Sequence, residues 1–454
     1  MGAATRRLRF AALFVASCSP VLIDWTAKVL VWPRPFWVYY YDPEAIYFYG
    51  GLSMLRGRLP ANVDNPGLPL HMLSALLAAI TGPAPLRYAQ FLAVGHTLGL
   101  VLTLAAIALL LLTLFRDAPP MLAIAGAWTF FLAPQALERV DIWSPEILYF
   151  PLGAVIVAAL WTRHIPAAAF TGGVAVATKW VFAPSIPAIV IAAFAMSGFA
   201  AALIAAAAAV IGFLAGILPA ILSLQSLLHL VINPNQQSWL MLIATSRAWV
   251  AWCFVVIAAA AVTYDRRNRP LLLFACVLIA LTLLGASRNP SFRYLLPAAI
   301  GVVVLFAVMA ASQPRIPLQT AFLLAAALLM TKAIRDDVAA HQSRIAHAAS
   351  VRAAIARAIP EGANVLYGWR APVPSFALRI MANDPRDLAA IAKAYPREGA
   401  FNPWTGVTSF SPGLRHFDYF VLTPEDLRRF PASTPVAKAG EFVVAPAQDA
   451  GVAR

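Results

Sequence analysis

Apolar residues along this chain come in long blocks rather than alternating stripes. A spanning helix needs roughly 20 apolar residues, and shorter ones occur. Eleven blocks qualify: residues 8–31, 89–115, 121–133, 147–161, 166–181, 182–199, 200–224, 248–264, 271–285, 294–311 and 316–333. Residues 182–224 exceed one span and break at Ser197-Gly198. Residues 166–199 also exceed one span, and Lys179, Pro184 and Pro187 interrupt them, which sets a boundary after Val181. Blocks 121–133 and 147–161 are short, so each is tilted, longer than drawn or re-entrant. The pattern predicts an all-α polytopic membrane bundle of about 11 transmembrane helices.

The pattern changes after Ala333. Residues 334–359 are rich in Ala, Arg, His and Asp and read as an amphipathic helix. Residues 364–369, 419–422 and 441–444 read as short strands. Residues 384–395 and 424–430 read as helices, the latter with Thr423 as N-cap and Pro424 at its first position. Helices alternating with strands predict a small soluble α/β domain. The chain therefore divides into a membrane domain, residues 1–333, and a C-terminal domain, residues 334–454. The membrane domain includes a long first outside loop, residues 32–88.

Composition sharpens the class. Only 12% of the 454 residues are charged and 61% are hydrophobic, against about 25% charged in a soluble domain. The net charge of +14 sits in short loops between apolar runs, which points to lipid phosphates and not to nucleic acid. Cys18, Cys253 and Cys276 lie inside apolar runs with no pairing or metal spacing. Arg6, Arg7 and Arg9 place the N-terminus in the cytoplasm. Inside and outside loops then carry nine Lys/Arg each; the inside loops are shorter, so density alone favours this orientation. Eleven spans put the C-terminal domain on the outer, periplasmic face. The basic start and Val15-Ala16-Ser17-Cys18 loosely resemble a secretory signal, but ten further spans favour an uncleaved first helix. Asp24 and Lys28 stand at i,i+4 in its outer half and read as an ion pair facing the bundle.

The first outside loop holds the candidate chemistry. Its centre reads Tyr39-Tyr40-Tyr41-Asp42-Pro43-Glu44. Asp-Pro-Glu starts a helix well, with Asp as N-cap, Pro first and Glu against the dipole. A carboxylate on so rigid a mount, just past the first span, could also remove a proton from an acceptor hydroxyl. Gly50-Gly51, Leu55-Arg56-Gly57-Arg58-Leu59-Pro60 and Asp64-Asn65-Pro66-Gly67-Leu68-Pro69-Leu70-His71 follow. Outside basic residues Arg56, Arg58, Lys179, Arg247, Arg288 and Arg293 either snorkel to headgroups or stabilise charge on a departing phosphate. Asn289-Pro290-Ser291 constrains the loop that carries Arg288 and Arg293. The second outside loop holds Glu138, Arg139, Asp141 and Glu146, the last within a Ser-Pro-Glu helix start. Residues 225–247, with Asn233-Pro234-Asn235-Gln236-Gln237 and Trp239, suit an interfacial element. Of the histidines, His71 alone lies near this chemistry; His96 and His229 read as structural. No nucleotide-binding loop and no Ser/His/Asp arrangement occurs.

The order of these elements resembles type C glycosyltransferases, among them protein O-mannosyltransferases and the aminoarabinose transferases of lipid A. The first-loop acids, the Tyr-rich helix, the Leu-x-Gly-x-x-Pro turn and Asn65-Pro66-Gly67-x-Pro69 carry it. Ala177-Thr178-Lys179-Trp180 and Arg293-Tyr294-Leu295-Leu296-Pro297 add to it. The resemblance implies transfer from a polyprenyl-phosphate sugar at the periplasmic face of a bacterial inner membrane. It implies Asp42 as base with Glu44 as its neighbour, and Arg56, Arg58, Asn65, His71, Lys179, Arg288, Arg293 and Tyr294 as substrate-binding residues. Pro43 separates two acids that are adjacent in many relatives, and Asn65 stands where relatives often have His. Some relatives hold a divalent metal through second-loop acids; the spacing here predicts no metal and no other cofactor. The expected activity is an inverting hexosyl- or pentosyltransferase of the cell envelope, with a lipid, glycan or protein acceptor. Its alternatives are a transporter for lipid-linked saccharides and a non-catalytic lipid-binding member of the same fold. The one-sided gathering of polar residues and the absence of a repeat favour the enzyme.

Overall fold

A computed structural model describes residues 3–38, 44–60, 67–221, 247–262, 265–286, 295–403, 406–411, 413–430, 432 and 434–448. The chain forms two compact units. One comprises Met1–Leu30, Val63–Leu70 and His96–Val338; the other comprises Val31–Asn62, His71–Gly95 and Ala339–Arg454. They are called here the bundle unit and the outer-loop unit.

Helices occupy all eleven expected membrane segments. They are α1 (Ala3–Trp25), then, after α2 (Glu44–Leu55) and α3 (Leu68–Thr81) of the first loop, α4 (Tyr88–Leu112), α5 (Pro120–Trp128), α6 (Tyr149–Trp161), α7 (Ile165–Thr178), α8 (Ser185–Ser197), α9 (Phe199–Ile221), α10 (Arg247–Val262), α11 (Arg269–Ala286), α12 (Leu296–Ala311) and α13 (Ile316–Ala358). Five helical stretches are long and apolar enough to cross a membrane alone: Ala4–Val31, Pro85–Leu112, Trp180–Ser197, Phe199–Leu218 and Ile316–Ala358. The architecture is a polytopic helical membrane bundle with a small C-terminal domain. The two expected breaks fall where the sequence puts them. Helix α7 ends at Thr178 before an extended Lys179, and α8 ends at Ser197 before Gly198, whose φ of 82° terminates it.

Small residues set the packing. A Cβ on Gly173 would overlap the carbonyl of Ala209, and one on Gly212 would overlap that of Phe170. Helices α7 and α9 therefore touch backbone to backbone, as membrane helices do where glycine permits. Helix α12 is buried from Leu296 to Ala310 on every side, the signature of a central helix. Leucines and phenylalanines such as Phe199, Leu203 and Leu218 stay exposed, which suits contact with lipid.

In the outer-loop unit, the expected separate helix over 334–359 is instead the continuation of the last span, because α13 runs unbroken for 43 residues. No Gly or Pro interrupts it between Ala321 and Ala358. The domain that follows has strands β1 (Val365–Tyr367), β2 (Glu398–Asn402), β3 (Val407–Ser409), β4 (Tyr419–Leu422), β5 (Ala437–Ala439) and β6 (Phe442–Pro446). Their order is β3-β2-β1-β4-β6-β5. Strand β1 pairs in parallel with β2 and β4, and the outer pairings are antiparallel. All three β1 residues are buried, because both faces of the sheet are covered. Val365 and Tyr367 join Val351 and Ile355 of α13 on one face; Leu366 joins Phe401, Phe417 and Phe420 on the other. Short helices α14 (Pro374–Arg379), α15 (Pro385–Ala394) and α16 (Pro424–Leu427) complete it. Asp384 caps α15 and Thr423 caps α16 through their side chains.

Candidate functional site

Helix α2 begins at Glu44, with Pro43 before it, as the Asp-Pro-Glu pattern requires. Asp42 itself lies outside the described residues. Glu44 is 3% exposed, and Arg34 donates to its Oε2 while also donating to the carbonyl of Val38 at 3.0 Å. A buried carboxylate held by a buried guanidinium stays charged and fixed in place. Gly50 and Gly51 then let α3 approach α2. A Cβ on Gly50 would strike the His71 ring, and one on Gly51 would lie 2.6 Å from the Ser74 backbone. His71 is 1% exposed and packs against the Tyr47 ring at 5.1 Å between centroids.

Arg56 lies one residue past α2, about 18 Å along its axis from Glu44 at 1.5 Å per residue, so the two are not brought together. Its terminal nitrogens sit on the two oxygens of Asp387 at 2.7 and 2.6 Å, and Asp384 lies at 3.0 Å. The bond to Asp387 and the two negative charges raise the Arg56 pKa against the effect of burial. Arg58 is largely exposed and reaches Asp384 at 3.4 Å.

Lys179 belongs to the bundle unit. Its Nζ meets Glu146 Oε1 at 2.6 Å, and both residues are 2% exposed. The carbonyl of Thr178, next to Lys179, accepts a hydrogen bond from the Gly67 N–H at 2.9 Å. Leu68, Ala177 and Ile217 pack together beside it. The end of the Asn65-Pro66-Gly67 element therefore adjoins the Thr178-Lys179 element. Asn65, Arg288, Arg293 and Tyr294 lie outside the described residues, as does most of the 225–247 segment.

A second buried cluster surrounds Lys28, in a π-helical continuation of α1 over Thr26–Val31. Its ammonium meets Asp24 at 2.8 Å, Asp141 at 2.6 Å and Asp337 at 2.7 Å. The expected Asp24–Lys28 pair is thus part of a four-residue group that also ties in the second loop and α13. Asp141 and Glu146 each already carry a lysine, an unsuitable donor set for a divalent metal. Among the described residues no His, Cys, Asp and Glu grouping is arranged to hold one.

No family model and no curated protein matches this sequence. Solved structures do. The crystal structure of ArnT from Cupriavidus metallidurans bound to undecaprenyl phosphate aligns over 98% of both chains, with a TM-score of 0.51 at 13% identity. The apo structure of the same protein aligns over 98% of both chains, with a TM-score of 0.53 at 15% identity. The chain has the ArnT fold. In that fold Arg34, Glu146, Asp141, Asp337, Asp384 and Asp387 are partners that the local sequence did not single out. Ser-Pro-Glu and Asn-Asp-Pro-Arg read first as helix starts, and each does start one. Their second role, as partners of distant cations, leaves no local signal.

Proposed function

We propose that this chain is a membrane glycosyltransferase that takes sugar from a polyprenyl-phosphate carrier and delivers it to a hydroxyl acceptor at the periplasmic face. One observation carries the reading. The Gly67–Thr178 hydrogen bond joins two elements of the type C pattern inside a fold that, in ArnT, holds undecaprenyl phosphate. Fold alone would be analogy; the buried Lys179–Glu146 pair beside that bond is a site. A lysine ammonium is a compact charge suited to a phosphate oxygen. Glu146 keeps it ionised and placed until a phosphate arrives. Arg288 and Arg293 join it in the proposal, whereas Arg56 and Arg58 hold the acids of α15.

The reaction follows from these parts. The acceptor oxygen attacks the anomeric carbon from the face opposite the phosphate, which inverts its configuration. The bond from that carbon to the phosphate oxygen breaks, and its electron pair stays on the polyprenyl phosphate. The acceptor proton passes to Asp42, with Glu44 as supporting acid. Cations at the phosphate stabilise the charge that develops there.

The test is binding of undecaprenyl phosphate to the purified full chain in nanodiscs. Lys179→Met should weaken it about ten- to a hundredfold, the worth of a charge-assisted contact, with Lys179→Arg recovering part of the loss. Equal affinity in parent and Lys179→Met would remove Lys179 from the site. No binding in the parent would remove the donor class.

A further inference from the structure

A notch in the outer-loop unit lies outside the chemistry above. Tyr49, Gly50 and Ser53 of α2 face Asn383, Asp384 and Asp387 across about 280 Å³ of space, part of it open to solvent. Tyr49 is 5% exposed, and its hydroxyl has no hydrogen-bond partner among the described residues. A buried polar atom without a partner calls for an explanation. Burial pushes the Tyr49 phenol well above its ordinary range, and Asp387 adds to the rise against Arg379 and Arg56. Tyr49 therefore stays protonated and presents a hydrogen to donate.

The rest of the wall has the opposite character. Asp384 and Asp387 are 9% and 3% exposed and are already paired with Arg56. A carboxylate has about four lone-pair sites, so acceptor capacity remains after the guanidinium is bound. The pairing also balances charge. A bare anion entering the notch would meet two carboxylates, and a bare cation would meet Arg56. A hydroxyl suits both sides, since it accepts from the phenol and donates to a carboxylate. Ser53 and the exposed Asn383 add a hydroxyl and an amide at the rim.

We propose that this notch binds a hydroxyl-bearing edge of a saccharide, which serves as the acceptor if the transferase reading holds. The space suits one edge of a ring, not a whole oligosaccharide. Binding rests only on the notch; the acceptor role rests on the proposed function.

The two are tested apart by measuring binding without donor. Saturation-transfer difference NMR on the full chain in nanodiscs would use neutral methyl hexosides and pentosides as probes. Methylammonium and inorganic phosphate would serve as charged controls. The parent should transfer magnetisation to at least one glycoside and to neither ion. Tyr49→Phe removes one oxygen and should weaken that binding about two- to tenfold, the worth of one neutral hydrogen bond. Asn383→Ala, on an exposed side chain, should weaken it without affecting folding. Undecaprenyl phosphate binding should be unchanged in both. No glycoside signal in the parent, stronger binding of either ion, or equal glycoside binding in parent and both variants would overturn the proposal. Glycoside binding with no undecaprenyl phosphate binding would overturn the transferase reading and leave the notch standing.

Discussion

The two units hold their buried cations in different ways. In the bundle unit they are Lys28 and Lys179, although only five of the 34 basic residues are lysines. In the outer-loop unit the main ion pairs use Arg34 and Arg56. The geometry explains the choice. Lysine offers three donors around one point, which lets Lys28 meet three carboxylates. Arginine offers a planar fork, which lets Arg56 meet both oxygens of Asp387. The lysines are 2% exposed, whereas the Arg56 side chain is 18% exposed. Charge in the bundle is thus a structural commitment, and charge in the outer unit is closer to an adjustable clamp.

The largest effect should come from Lys28→Met. It leaves Asp24, Asp141 and Asp337 without their shared cation, and breaking a buried group this way costs about 3–5 kcal/mol. Thermal melting in detergent should fall steeply or folding should fail, and Lys28→Arg should rescue only part because a planar fork cannot reach three directions. A melting point equal to the parent's in Lys28→Met would erase the contrast between the units. Arg56→Ala should cost less, about 1.5–3 kcal/mol for charged hydrogen bonds, with proteolysis of the C-terminal domain as the readout. Arg56→Lys should recover little, since the bidentate contact is lost.

Acid should separate the two partners of that clamp. The Arg386 side chain, then its backbone N–H, holds the Asp384 carboxyl well below the usual carboxylate range. Its folded value is depressed, so its stabilisation is complete above the unfolded carboxylate value of about 4. It shrinks below that and vanishes only as pH falls through the depressed folded value. The stability gap between the parent and Asp384→Asn should be flat from pH 7 to about 4 and close below it. A gap that closes by pH 5 would contradict the assignment. The smallest effect belongs to Arg58→Ala. A largely exposed contact at 3.4 Å is worth about 0–1 kcal/mol, and a larger loss would show that the rim of the clamp matters more than its centre.

The membrane helices were legible in the sequence because each buries or exposes a continuous apolar run, and breaks at Lys179 and Gly198 interrupt such runs directly. The sheet was half legible. Strands β1, β4 and β6 are apolar, but β2 (Glu398–Asn402) contains Glu, Gly and Asn, and β3 and β5 are three residues each. Those three exist because neighbours complete their ladders, which no local pattern reports. The same limit applies to the site. Glu44 was legible from its helix start and Lys179 from its motif. Their partners Arg34 and Glu146 became visible only when the chain brought them within reach.

The central claim is that a first-loop carboxylate performs base catalysis on a polyprenyl-phosphate donor. Asp42→Asn tests it most directly, because asparagine caps a helix about as well as aspartate but takes up no proton. Sugar transfer from an undecaprenyl-phosphate donor would be measured in parent, Asp42→Asn and Glu44→Gln, each with its melting temperature. The account predicts an unchanged melt and a loss of about 10²–10⁴-fold for Asp42→Asn, with a smaller loss for Glu44→Gln. Full transfer in both variants would contradict it and leave both acids as helix caps.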